Sequence, residues 1–287
     1  MVKDNDLIFD LDDVGLVINS DKARVFSKRE VSILTPDDKF PIFVKVNSPV
    51  FIGSATTIIS TKVSLEDRLK LMYDTFVSMS IEEFYVNIVN IESRIKLKDS
   101  VFYINIESPI VSSQRLLEYV KTAKKQFSKQ LVLMVGNVIS PIIYKELKSY
   151  GVDYIRIGSD STLNKKLGFY PGYGSLFDAI GIHEEHKTEE RGGRIPAGLD
   201  LDIIEEPSTI TTDTKVVFEG CGMESIDRII KAFAFGVNYI CIKEEALDNI
   251  PEIVDALEEA LYISNSKNLE EFKSIGIYMI SASVLKA

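Results

Sequence analysis

What most constrains the fold of this 287-residue chain is a repeated alternation. Short runs of β-branched and aromatic residues are separated by stretches whose apolar residues recur at helical spacing. Eight runs read as strands: residues 41–46, 57–60, 84–89, 101–106, 131–135, 154–157, 216–218 and 239–242. Between several of them lie helical patterns. Ser64 reads as an N-cap before acidic Glu66 and Asp67, and Leu69, Met72, Phe76 and Met79 then form an apolar stripe. Residues 113–126 place Leu116, Leu117 and Val120 on one face. Ser140-Pro141 opens another helix with proline in its first turn, Gly151 closes it, and residues 225–235 end at Gly236 in the same way. Helix, glycine, strand is the loop chemistry of a parallel α/β fold. Eight such strands favour an eight-stranded parallel (β/α)8 TIM barrel over an open doubly wound sheet. The organisation expected is one domain over 1–287, with a strap over 1–40, a long loop or lid over 181–214 and a C-terminal extension over 263–287. Connections 47–55 and 90–98 are short for full helices, whereas 181–214 is polar, holds Gly192-Gly193 and two prolines, and is of a length usually functional or mobile.

Charge excludes several roles. With 33 Lys and Arg against 43 Asp and Glu the net charge is −10, which argues against nucleic acid or an anionic membrane as partner. The longest apolar stretch, of about 14 residues, is too short to span a bilayer. The opening residues lack the basic and apolar regions of a secretory leader. Cys221 and Cys241 are too few for a disulfide framework, so a soluble, cytoplasmic protein is expected. No P-loop, strand-borne GxGxxG or GxSxG elbow is present. His183 and His186 fall short of the ligands zinc needs and read as a solvated helix end. Asp10, Asp12 and Asp13 have the look of a metal cluster.

Several segments, in order along the chain, resemble the IMP dehydrogenase and GMP reductase family. Val135-Gly136-Asn137-Val138 is similar to the family's AGNV segment, and residues 151–158 to its GAD…VGIG segment. Residues 216–222, with Glu219-Gly220-Cys221-Gly222, resemble the strand that ends in DGG, and 227–237 the helix that follows it. Near the N-terminus, Phe9-Asp10 with Asp12-Asp13-Val14 is similar to FDDVLL, and 27–31 to the SR-EVDL segment; the resemblance implies structural carboxylates at Asp10, Asp12 and Asp13 and no metal site. Residues 266–273 resemble the SK-LEEF tail. The regulatory CBS module inserted in most IMP dehydrogenases has no room here, which makes the chain more similar to a GMP reductase.

The resemblance implies a chemistry that these residues keep only in part. Family members attack the purine with a cysteine thiolate from a loop after the sixth strand, and hydride passes to or from NAD(P). Gapless counting from Gly158 to Gly174 puts Lys165 at the cysteine position, and the loop's glycines and proline are gone. Lys165 is therefore either a nucleophile of lowered pKa or a solvated or phosphate-contacting lysine. Cys221, where the family has the second glycine of its turn, is either a relocated thiol or a small residue tolerated in a tight turn. Cys241, between Ile240 and Ile242, reads as a core residue.

For nucleotide binding, Glu219 replaces the aspartate that accepts hydrogen bonds from ribose hydroxyls, and Gly220 and Gly222 leave room for a phosphate. Tyr173 and Gly174 align with either the family's GGP turn or its tyrosine-flanked phosphate clamp. The terminal phosphate grip is replaced by Lys243-Glu244-Glu245, whose carboxylates would repel a phosphate. No flap insertion follows the eighth strand, and Arg191-Gly192-Gly193-Arg194-Ile195-Pro196, similar to the flap-edge EGRVP, sits before the seventh strand instead.

The expectation is a family-like barrel that binds a purine nucleotide or another phosphorylated ligand without the cysteine redox reaction. The alternatives are an active, diverged NAD(P)-dependent oxidoreductase, with NAD(P) as cofactor in that case alone, and a purely structural or interaction scaffold. The family's tetramers imply a homo-oligomer.

Overall fold

The computed structural model describes residues 14–16, 26–49, 56–89, 100–108, 114–138, 141–157, 214–219, 226–234, 236–273 and 277–279. Its centre is a closed ring of eight parallel strands: β2 (Ile42–Val46), β3 (Thr56–Ile59), β4 (Phe76–Met79), β5 (Phe102–Glu107), β6 (Leu131–Val138), β7 (Tyr154–Ile157), β8 (Lys215–Phe218) and β9 (Tyr239–Lys243). β9 pairs back onto β2, with Phe43 opposite Cys241, so the ring has no free edge. This is the TIM barrel expected from the strand count. Outside the ring, β1 (Val14–Leu16) and β10 (Ile277–Met279) form a two-stranded antiparallel ribbon.

Both faces of each barrel strand are buried, which is why the runs read as continuously apolar. One set of alternate residues (Ile42, Val44, Val46, Ile104, Ile106, Ile155, Ile240, Ile242) joins the helices in an outer core. The other set (Phe43, Ile58, Phe76, Met134, Tyr154, Val217, Tyr239, Cys241) packs into a separate inner core. The outer layer includes α1 (Leu65–Leu71), α2 (Ile81–Phe84), α3 (Gln114–Phe127), α4 (Pro141–Ser149), α5 (Ile226–Ala234), α6 (Ile250–Ile263) and α7 (Leu269–Phe272). α3 buries Leu116, Leu117, Val120, Ala123 and Phe127, the stripe its spacing predicts. Gly151 and Gly236 adopt φ of 76° and 91°, a left-handed turn that glycine makes without steric cost.

One strand differs from the sequence reading. Residues 84–89 are helical: α2 runs into a π-helical turn at Tyr85–Val89. The strand is instead β4, taken from residues assigned to the end of the preceding helix. The cause is local. Ser80 Oγ accepts from the Glu83 N–H at 3.1 Å, and Glu83 returns a carboxylate to the Ser80 N–H at 2.9 Å. That capping box starts a helix at residue 81. α1 has already ended at Leu71, and four consecutive buried residues, Phe76 to Met79, are left to cross the barrel wall.

Arg68, buried on α1, ties these elements together. Its Nε donates to the Val63 carbonyl at 2.9 Å, Nη1 donates to the Ser78 carbonyl of β4, and the guanidinium meets the Glu83 carboxylate at 2.8 and 3.1 Å. The Arg68 guanidinium, helped by the Ser80 N–H, holds the Glu83 carboxyl below its ordinary range.

The N-terminal end of the barrel is plugged by rings. Phe43, Phe76, Tyr103, Tyr154 and Tyr239 stand in the first or second position of their strands, so they share one level. Phe43 lies 5.7 Å from Phe76, 5.7 Å from Tyr154 and 5.0 Å from Tyr239, centroid to centroid. The segment before β2 closes over them: Lys39 donates to Tyr154 Oη at 3.3 Å, and Tyr239 donates to Asp37 at 3.4 Å. Burial alone would raise the Asp37 carboxyl, but Thr35, at 2.7 Å, and Lys39, at 3.0 Å, outweigh it and hold the group at about 2. The folded pKa lies below the ordinary 3.8, so this pairing contributes stability above that pH and loses it as pH falls toward 2. Asp37→Asn is expected to flatten the acid limb of stability in that window, read as urea midpoint against pH. Wild-type and variant limbs of equal slope would contradict it.

Candidate functional site

Two residues above the aromatic plug, the inward positions change character. The strand period of two carries Phe43 to Lys45, Tyr103 to Asn105 and Glu107, and Tyr154 to Arg156, and Val217 to Glu219 just past β8. These side chains converge into an ionic layer beneath the C-terminal mouth, the end at which barrels of this kind place their sites. Arg156 Nη1 lies 2.7 Å from Glu219 Oε2, and Lys45 Nζ is 3.9 Å from Glu219 Oε1 and in direct ionic contact with Glu107. Asn105 donates to Ser78 Oγ at 2.9 Å on the neighbouring strand. Two cations face two carboxylates, so the layer is neutral within itself.

Depth grades the layer. The Arg156 side chain is fully buried and that of Glu219 is 13% exposed, whereas Lys45 and Glu107 reach 20% and 22%. Several buried atoms here have no hydrogen-bond partner: Asn105 Oδ1, Glu107 Oε2, Glu219 Oε2 and all three nitrogens of Arg156. The Arg156–Glu219 pair is thus a charge contact without a hydrogen bond. Buried polar atoms are normally satisfied, so those left over mark a place for water at the enclosed Arg156 and for water or ligand at the partly exposed Glu219 and Glu107.

Gly136 makes room for the arginine. A Cβ at this position would stand 2.5 Å from Arg156 Cβ, 2.7 Å from its Nε and 2.9 Å from its carbonyl oxygen. Cys241, buried as its sequence context suggested, is the inner neighbour of the layer. Burial, with the Glu219 charge added, pushes its thiol up to about 12 against the opposing pull of Arg156 and Lys45. At neutral pH it is a protonated, sealed thiol. At the rim, Glu244 accepts from the Asn47 N–H at 2.9 Å, and the Asn47 side chain accepts from Ser60 at 2.8 Å.

Of the residues singled out from sequence, Glu219 stands at the end of β8 as expected, engaged by Arg156 and Lys45. Lys165, Tyr173, Gly174, Gly220, Cys221 and Gly222 lie outside the described residues, as do His183, His186, the acidic Asp10, Asp12 and Asp13, and nearly all of the 181–214 loop. Sequence reasoning missed Lys45, Glu107 and Arg156. The signal was there: a charge at an inward position of an otherwise apolar strand needs a partner across the barrel. Among the described residues no group of His, Cys, Asp and Glu could hold a metal ion, and no helix is long and apolar enough to cross a membrane.

No protein-family model matches the sequence, and no curated protein matches it. The fold has solved counterparts. The crystal structure of inosine 5′-monophosphate dehydrogenase from Legionella pneumophila superposes with a TM-score of 0.67 over 96% of this chain and 99% of that one, at 14% sequence identity. With that TM-score and near-complete coverage of both chains, this closed eight-stranded barrel has the fold of an inosine 5′-monophosphate dehydrogenase.

Proposed function

We propose that this chain is an IMP dehydrogenase/GMP reductase-like barrel that binds a purine nucleotide or another phosphorylated ligand at its C-terminal mouth and does not run the cysteine-dependent redox reaction. The observation that carries the binding half is the ionic layer around Glu219 at the C-terminal end of the barrel, several of whose buried polar atoms have no hydrogen-bond partner. Glu219 accepts donors from the ligand, and Gly220, Gly222, Tyr173 and Gly174, neighbours in sequence of the mouth, are the assigned phosphate contacts.

The second half rests on sulfur. A thiol-dependent hydride transfer needs a thiolate facing the purine. Lys165 occupies the cysteine position by count, and Cys241 is buried and protonated. The cysteine found among the described residues, Cys241, is sealed in the core, which supports this reading, while Cys221 lies outside them and is tested by alkylation. Self-association as a tetramer belongs to the same reading and is checked by light scattering.

Binding to the native state alone raises stability, by about 2.7 kcal/mol at one hundred times Kd. IMP or GMP at millimolar concentration is expected to raise Tm by several degrees. IMP with NAD, or GMP with NADPH, is expected to give no change in nicotinamide absorbance. A flat Tm across a panel of nucleotides removes the binding half, and turnover removes the other.

A further inference from the structure

We infer that Arg156 is a positioning residue for Glu219, seated in a notch that only glycine at position 136 leaves open. The inference rests on the reading of Glu219 as the ligand's acceptor and adds what holds it. Arg156 is fully enclosed, so it meets no ligand from the mouth directly. Its charge acts on Glu219, 2.7 Å away and nearer the opening. Lys45 restrains the other carboxylate oxygen at 3.9 Å and joins it to Glu107. Glu219 is therefore gripped from behind and from one side.

The notch is as specific as the charge. Of the three Arg156 atoms that a Cβ at 136 would strike, Cβ and the carbonyl oxygen belong to the wall of β7 and cannot swing aside. Alanine at 136 must displace β7 or expel the guanidinium from its seat. The Arg156 nitrogens make no hydrogen bond to hold them elsewhere, so charge and shape alone place the group. A carboxylate accepts hydrogen bonds, so Glu219 addresses hydroxyl or amino hydrogens of a ligand rather than its phosphate.

The test has a ligand-free arm and a binding arm. In the first, the Arg156 Nε–H is followed by proton–nitrogen NMR. It is expected to be protected from solvent exchange in the wild type, to move in Glu219→Gln, and to lose protection in Gly136→Ala. Lys70→Met, on the exposed face of α1, is the control that leaves it in place. In the second, IMP affinity is measured by calorimetry: Arg156→Met is expected to weaken it by about tenfold or more, since it leaves the Glu219 carboxylate without its buried counter-charge. Arg156→Lys, which keeps the charge, recovers part of the loss, as a purely space-filling role would not. An Nε–H unmoved by Glu219→Gln overturns the inference, as does Arg156→Met binding IMP like the wild type. If the wild type binds neither IMP nor any other nucleotide of the panel, the binding half of the functional reading falls, while the resonance arm still decides whether Arg156 holds Glu219. Should Arg156→Met not fold, Arg156→Lys and Glu219→Gln carry both arms.

Discussion

Phe43→Ala is expected to lower the free energy of unfolding by about 4 kcal/mol, in the range typical of a buried phenylalanine cut back to alanine. The ring is 1% exposed and sits at the middle of the plug, in edge or tilted contact with Phe76, Tyr154 and Tyr239. Aromatic contacts of this kind add about 0.5–1.5 kcal/mol each beyond buried area. Truncation leaves a void walled by strands of a closed ring, which relax less readily than a helix sliding on a neighbour. The collapse that softens many core truncations is therefore restricted here. Phe43→Leu, which refills most of the volume, should recover more than half. Chemical denaturation measures both, and a loss below about 1 kcal/mol for the alanine variant would show that the rings do not form one packed unit.

Arg68→Met is expected to cost about 3 kcal/mol, the low end for removing one partner of a buried ion pair. The low end applies because the Glu83 side chain is 29% exposed and water screens part of its charge. Two carbonyls, of Val63 and Ser78, lose their donor at the same time. Because Arg68 lowers the Glu83 pKa in the folded state, the pair contributes above the ordinary carboxylate pKa and loses that contribution as the carboxylate is protonated on acidification. The gap between wild type and Arg68→Met should therefore narrow toward acid pH. A second change, Glu83→Gln, should return part of the loss by removing the abandoned charge. A gap that does not change with pH would mean that the carbonyl contacts, not the ion pair, carry the effect.

The barrel was legible because its physics is periodic. Seven of the eight strand segments read from the sequence are strands, since β-branched runs buried on both faces look alike wherever they occur. The Gly151 and Gly236 turns were legible because left-handed backbone selects glycine. The segment from Leu65 to Val89 was misread because Leu69, Met72, Phe76 and Met79 happen to fit a helical spacing. Ser80 and Glu83, a capping box in plain view, were the stronger local signal. The site was legible only in part. Glu219 could be placed through its resemblance to a known motif, whereas Lys45, Glu107 and Arg156 come from three different strands. Their meeting is a product of ring closure, which spacing along the chain does not encode. Gly136 drew notice as part of a motif, but its reason, the arginine lying against it, belongs to the neighbouring strand.

The seam between β2 and β9 has a consequence for how the chain is made. On the ribosome the first barrel strand emerges about two hundred residues before its final neighbour, and domains generally fold as units. Until β9 is released, β2 and the growing opposite end both present unpaired backbone and the apolar faces of Phe43 and Val44 to water or to a chaperone. Nascent chains arrested just short of residue 239 should consequently be held by chaperones or aggregate, and release of only a few more residues should let them mature.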